Sequence, residues 1–172
     1  MDNRALLSYV AEREFVIDYM LNQLERSGNS HIRGVAGTAT AGIPWAAWLA
    51  SRLQLPMLYV RGDSKKWGLE RSVEGQRDDI DRVVLVEDLV FTGGSTLNAV
   101  ANLRKAGMHV DIAMCIVTYN LYSTAQALQE EAVRLNSLTD VEEVIQVAKK
   151  RELISDYDTA AVRAWLAETR RN

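Results

Sequence analysis

The 172-residue chain is poor in residues that cross-link a backbone or bind metals: one cysteine, two prolines and two histidines. A lone thiol, Cys115, excludes an internal disulfide, and within an apolar run it reads as an inert buried side chain. His31 and His109 stand far apart without ligand spacing and carry no metal or catalytic signature. No apolar run approaches the roughly 18 residues of a membrane span. Neither sign of charge dominates, with 20 Lys+Arg against 23 Asp+Glu and a net charge of −3, so no general attraction draws the chain to nucleic acid or anionic membranes. Any anion site must be local. The opening Met1-Asp2-Asn3-Arg4 leads to Glu12 and Glu14 rather than to a basic-then-apolar leader, which with the thiol usage implies a reducing, cytoplasmic compartment. Apolar residues are plentiful at 48%, enough to give residues 1–172 the core of a single domain.

Ile17, Met20, Leu21 and Leu24 recur at helical spacing and predict a first helix, stopped by Ser27-Gly28-Asn29. A short strand over Ile32 to Val35 is expected next, then a loop from Gly37 to Gly42. A helix follows with Ala46, Leu49, Ala50 and Leu53 on one face, ended by Pro56, and then a strand at Met57 to Val60. Arg61 to Arg77 is polar and shows no period, predicting a long loop. Val83-Val84-Leu85-Val86 has the β-branched continuity of a strand buried on both faces. A helix with Leu97, Val100 and Ala101 precedes Gly107, and Val110 to Val117 is a further strand. The last third reads as helical. Ser123-x-x-Gln126 and Thr139-x-x-Glu142 are candidate capping boxes, Val141, Val144, Ile145 and Ala148 form one face, and Val162, Trp165, Leu166 and Thr169 another. Strands alternating with helices predict an α/β fold, a doubly wound parallel sheet with helices on both faces. Trp45, Trp48 and Trp165 fall in helical patterns and read as packing or dimer-interface residues.

The strongest chemical signal is VVLVEDLVFTGGST, Val83 to Thr96. A buried strand leads to two carboxylates, Glu87 and Asp88, and then to the small-residue turn Thr92-Gly93-Gly94-Ser95-Thr96 opening a helix. Amides, hydroxyls and the positive end of the helix dipole make such a turn an anion cradle. The same turn also reads as a plain glycine turn with Ser95 or Thr96 as N-cap. The carboxylate pair suits polyol hydroxyls or a hydrated Mg²⁺, which would set a sugar beside a phosphate. Neither G-x-x-x-x-G-K-S/T nor a G-x-G-x-x-G after a strand occurs, so nucleoside-triphosphate P-loop and dinucleotide sites lack their fingerprints.

This segment resembles the phosphoribosyl-pyrophosphate (PRPP) motif of type I phosphoribosyltransferases. Asp2-Asn3-Arg4, GTATAGIPWAAW (Gly37 to Trp48), LPMLYVR (Leu55 to Arg61), Glu74-Gly75 and Val117-Thr118-Tyr119 extend the likeness to the orotate phosphoribosyltransferase family of Gram-positive bacteria. The resemblance implies transfer of a 5-phosphoribosyl group from PRPP to a pyrimidine base, orotate first among them, with Mg²⁺ carried on the donor and pyrophosphate released. It implies that Thr92, Gly93, Gly94, Ser95 and Thr96 hold the 5-phosphate. Thr38, Ala39, Thr40, Ala41, Gly42 and Arg61 would meet the pyrophosphate, and Glu87 and Asp88 would approach the ribose hydroxyls. Lys65, on the long loop, would close over the neighbouring subunit's site in a homodimer.

Four positions depart from the family pattern. Gly62 and Asp63 follow Arg61 where the family continues with basic residues, and Trp67 stands two places after Lys65 where a histidine is usual. Phe91 replaces Ser or Thr and is a candidate for lining the base pocket. The family also carries a further stretch before the segment matching Asp2-Asn3-Arg4, so a reduced hood over the base is expected. These departures leave two alternatives: a phosphoribosyltransferase for another base, and a PRPP- or nucleotide-binding regulator with impaired catalysis.

Overall fold

The computed structural model describes residues 2–28, 31–62, 72–76 and 78–170. A 3-10 helix, Asn3–Ser8, opens the chain. It is followed by α1 (Val10–Arg26), β1 (Gly34–Thr38), α2 (Gly42–Leu53), β2 (Met57–Val60), β3 (Val73–Glu74), β4 (Arg82–Val90) and α3 (Gly94–Lys105). The remainder is β5 (His109–Thr118), α4 (Tyr122–Glu130), β6 (Arg134–Asp140), α5 (Val141–Lys150) and α6 (Asp156–Thr169). The strands form one sheet in the order β3-β2-β1-β4-β5-β6.

Alternation along the strands divides the core. Val35, Val84 and Val86 pack with Val16, Ile17 and Met20 of α1 and with Trp45, Ala46 and Leu49 of α2. Their strand neighbours Ala36, Val83 and Leu85 pack with Ala99, Val100 and Leu103 of α3 and Leu128 of α4. Helices therefore cover both faces, as the sequence implies for a doubly wound sheet. Burying a large apolar side chain contributes about 1.5–3 kcal/mol, and Trp45, the largest, is 1% exposed. Trp45 meets Trp48 edge-on with ring centroids 5.4 Å apart, and the Arg13 guanidinium lies 4.5 Å over Trp48.

Several elements differ from expectation. The expected parallel sheet is parallel from β2 through β6, but β3 runs antiparallel to β2 at the edge. This two-residue strand lies inside the stretch expected as loop, and it is too short to show a period. β1 lies two residues later than expected because Gly34 and Gly37, which carry no side chain to display a pattern, are within it. β4 continues past Val86 and takes in Glu87 and Asp88. The helical last third contains β6, whose side chains are mostly half-buried and lack the continuous apolar signature of a central strand. Neither expected capping box forms. Leu121 precedes α4 without a side-chain cap, and the α5 cap is Asp140, whose carboxylate accepts from the Glu143 amide at 2.9 Å. The capping box that does form joins Ser155 and Asp158 at the start of α6.

The order of strands decides where a ligand can sit. From β1 the chain passes through α2 on one face to β2, whereas from β4 it passes through α3 on the other face to β5. The loops leaving these two adjacent parallel strands diverge, opening a crevice at the carboxyl end of the sheet.

Candidate functional site

A cleft of about 380 Å³ occupies that crevice, lined by Asp2, Asn3, Arg4, Ala39, Thr40, Ala41, Glu87, Asp88, Leu89 and Ser95. One wall is the loop that follows β1, a second is the end of β4 with Ser95 of α3, and the start of the chain at the 3-10 helix supplies a third. Asn3 is buried and donates through Nδ2 to the Asp88 carbonyl at 3.0 Å, a bond that ties the start of the chain to the acidic strand.

In the β1–α2 loop the Ala39–Thr40 peptide is cis. Thr38 is buried and donates to the Val86 carbonyl at 3.3 Å. A Cβ on Gly42 would stand 2.4 Å from the Val86 carbonyl oxygen and 2.6 Å from Thr38 Oγ1, so only glycine lets the loop press this closely on β4.

Glu87 is 6% exposed, and its carboxylate accepts from the Asp88 amide at 3.1 Å and from the Ser95 hydroxyl at 3.2 Å. Burial pushes its pKa from 4.5 up to about 7, with the negative charge of Asp88 adding to the rise and the Asp88 amide opposing it. Asp88 is half-buried beside it. One carboxylate near neutrality next to a second, at the edge of a cleft, can accept from two hydroxyls of a polyol.

The β4–α3 turn is arranged as an anion cradle. Gly93 takes φ +77° as the N-cap of α3, a backbone conformation most side chains avoid, and no side chain caps the helix. The first amides of α3 consequently have no intrahelical acceptor and are available to a ligand. Thr96 is 0% exposed and its Oγ1 has no hydrogen-bond partner. These facts go against the N-cap reading of Ser95 and Thr96: Ser95 serves Glu87, and the Thr96 hydroxyl is unspent. Thr124 of α4 braces the turn by donating to the Phe91 carbonyl at 2.9 Å.

The structure thus brings together Ala39, Thr40, Ala41, Glu87, Asp88 and Ser95 around one cleft; Thr38, Gly42, Thr92, Gly93, Gly94 and Thr96 do not line it and lie next to lining residues along the chain or in the turn that leads to Ser95. Arg61 and Phe91 do not line this cleft. Arg61 is paired with Glu74 at 3.0 Å. Phe91, expected at the base pocket, turns its ring against Tyr119 and Trp165 and does not line the cleft. Lys65, with Asp63, Lys66 and Trp67, lies outside the described residues. Sequence reasoning assigned no role to Asn3 or Thr124; their partners are 85 and 33 residues away, and no local pattern signals either contact.

Among the described residues no group of three or more His, Cys, Asp or Glu could hold a metal ion, and no helix is long and apolar enough to cross a membrane.

Comparison with known proteins agrees with this geometry. Residues 8–150 match the phosphoribosyl transferase domain family. Orotate phosphoribosyltransferase of Listeria monocytogenes is 38% identical over 95% of this chain and 78% of its own length. The protein of the same name from Bacillus caldolyticus is 41% identical over 95% of this chain and 79% of its own. Among solved structures, orotate phosphoribosyltransferase from Aeropyrum pernix superposes with a TM-score of 0.75 at 32% identity, covering 90% of this chain and 84% of that one. Leishmania donovani UMP synthase gives a TM-score of 0.81 at 25% identity over 98% of this chain and 36% of that one. With the switch-point cleft, the acidic pair of Glu87 and Asp88 and the uncapped start of α3 in place, the chain belongs to the phosphoribosyltransferase family.

Proposed function

We propose that this chain, a single domain spanning residues 1–172, transfers the 5-phosphoribosyl group of PRPP to orotate and releases pyrophosphate. The observation that carries the reading is the Glu87–Asp88 pair, one buried and one half-buried, set beside the β1–α2 loop and the start of α3, where the buried Thr96 hydroxyl has no partner. In this assignment Thr92 to Thr96 hold the 5-phosphate, and Thr38 to Gly42 with Arg61 meet the pyrophosphate. Glu87 and Asp88 accept from the ribose hydroxyls.

The reaction breaks the bond from ribose C1 to pyrophosphate oxygen, the electron pair leaving with pyrophosphate, while a base nitrogen bonds to C1. Positive charge builds on the sugar in between, so positioning and nearby negative charge matter more than a nucleophile of the protein. The carboxylates of Glu87 and Asp88 supply that charge at the sugar.

Magnesium fits the site by way of the donor. Two adjacent carboxylates, Glu87 and Asp88, face the ribose side of the cleft and suit an ion that arrives on phosphates and keeps part of its water shell. Carried on the donor, it would neutralise charge on the leaving pyrophosphate, with no protein side chain ligating it directly and with Glu87 and Asp88 kept for the ribose hydroxyls. Lys65 would add a second positive charge from the neighbouring subunit of a homodimer, and closing its loop would keep water from the sugar.

The test mixes protein, PRPP, Mg²⁺ and orotate and follows the loss of orotate absorbance. Steady loss is expected, and no turnover at high protein concentration would reject the reading. The pairing of Arg61 with Glu74 favours one alternative, a PRPP-binding regulator, because it occupies a cation that the pyrophosphate would need. Calorimetric binding of PRPP without turnover of any common base would select that alternative.

A further inference from the structure

The C-terminal helix has no task in the reading above, yet it touches the strand end from which the phosphate turn departs. α6 is seated by a small core of its own, Leu166 against Val141 and Ile145 with Tyr119 and Ile154 packed on it. An ion pair between Arg163 and Glu142 at 2.5 Å adds to the seat. From this position Trp165 stacks on Phe91, the residue immediately before Thr92, with ring centroids 5.8 Å apart and planes 20° from parallel. Tyr119 meets both rings edge-on, at 4.9 Å from Phe91 and 6.2 Å from Trp165.

Trp165 remains 46% exposed, so it fills no buried space as Trp45 does. Its contact with Phe91 fixes the side chain at one end of the turn, while Thr124 fixes the Phe91 carbonyl at 2.9 Å. A Cβ on Gly93 would stand 2.8 Å from the Thr124 methyl, so the turn is also hemmed in from the α4 side. Two helices therefore grip the entry to the turn from outside the cleft.

We infer that Trp165 is a positioning residue for the sugar-phosphate donor: stacked on Phe91, it holds Thr92 to Thr96 in the conformation whose amides converge on the 5-phosphate. This inference rests on the assignment of that turn to the 5-phosphate. A turn ordered before binding loses less entropy when the ligand arrives, so the stack raises donor affinity without touching the donor. By reciprocity, a bound donor tightens the docking of α6.

The experiment measures the Kd for ribose 5-phosphate by calorimetry and the KM values for PRPP and orotate by steady-state kinetics in Trp165→Leu, Trp165→Phe, Phe91→Leu and the Leu/Leu double variant. An aromatic stack of this kind corresponds to about a 2- to 10-fold effect on affinity. Trp165→Leu is expected to raise the ribose 5-phosphate Kd and the PRPP KM by that factor, with the orotate KM and kcat within about twofold of the parent. Trp165→Phe should recover most of the loss, and the double variant should be no weaker than either single one. If Trp165→Leu does not fold, Phe91→Leu, which leaves the α6 core intact, must show the same donor-selective loss. Unchanged donor affinity in the Leu variants overturns the inference, as does an equal rise in both KM values without rescue by phenylalanine. A parent protein that binds no ribose 5-phosphate overturns the functional reading and this inference together. A parent that binds, alongside Leu variants that bind equally well, overturns this inference alone.

Discussion

Replacing Glu87 with glutamine tests the electrostatics of the site without reference to turnover. The carboxyl is 6% exposed, and burial, aided by the charge of Asp88, raises its pKa from 4.5 to about 7. Below pH 4.5 the group is protonated in both the folded and unfolded chain and contributes no difference. Between pH 4.5 and 7 the folded chain binds a proton that the unfolded chain has released, so stability falls as pH rises. Above pH 7 both forms are ionised and the whole cost of the buried charge is present. A rise of this size corresponds to about 3 kcal/mol across the window. The glutamine side chain cannot ionise, and its amide oxygen can still accept from the Asp88 amide. The stability gained by Glu87→Gln over the parent should therefore grow by about 3 kcal/mol between about pH 4.5 and 8. Urea unfolding of both proteins across that pH range measures it. Parallel stability curves would refute the reasoning, because they would mean that the carboxylate is hydrated in the folded chain. A complementary measurement follows the proton itself. Ribose hydroxyls favour the ionised carboxylate, so ribose 5-phosphate binding at about pH 7 should release protons, read by calorimetry in buffers of different ionisation enthalpy.

Three further outcomes are expected. Thr96→Val removes a buried hydroxyl that has no partner, so the unliganded protein should keep its stability or gain about 1–2 kcal/mol while affinity for ribose 5-phosphate falls about tenfold; a clear loss of stability in urea unfolding would contradict the orphaned hydroxyl. Glu74→Gln breaks a partly exposed ion pair, so stability should shift by no more than about 1 kcal/mol while the freed Arg61 lowers the KM for PRPP; an unchanged KM would separate Arg61 from the pyrophosphate. Cys115 is buried, and burial, with the charge of neighbouring Glu87, pushes its thiol up to about 12. It should resist a thiol-disulfide reagent until the chain is unfolded in urea, and rapid reaction of the native protein would contradict its burial.

Local patterns gave much of the architecture away. The faces of α1 and α2, the continuous apolar strand at Val83 to Val86 and the glycine turn before α3 were legible because each depends on residues within one or two turns of one another. The acidic pair and the two small-residue loops were legible for the same reason, and the resemblance they carried led to the family. The limits of this legibility are just as physical. β3 has two residues and exists only because β2 offers an edge. β6 lacks an apolar pattern because it lies at the other edge. The capping boxes misled because several Ser, Thr and Asp residues near a helix start can each compete for the same amides, and backbone geometry chooses among them.

The amino-acid order by itself determined which residues could form an amide-lined turn, a buried strand and a carboxylate pair, since those are properties of neighbours along the chain. The tertiary structure alone decided what each of them meets. It placed Asn3 on the Asp88 carbonyl, gave Arg61 to Glu74, and set Phe91 against Trp165. It also buried Glu87 deeply enough to hold its proton near neutrality. These outcomes depend on segments brought together by strand order, and desolvation has no signature in a sequence until the neighbours that exclude water are in place.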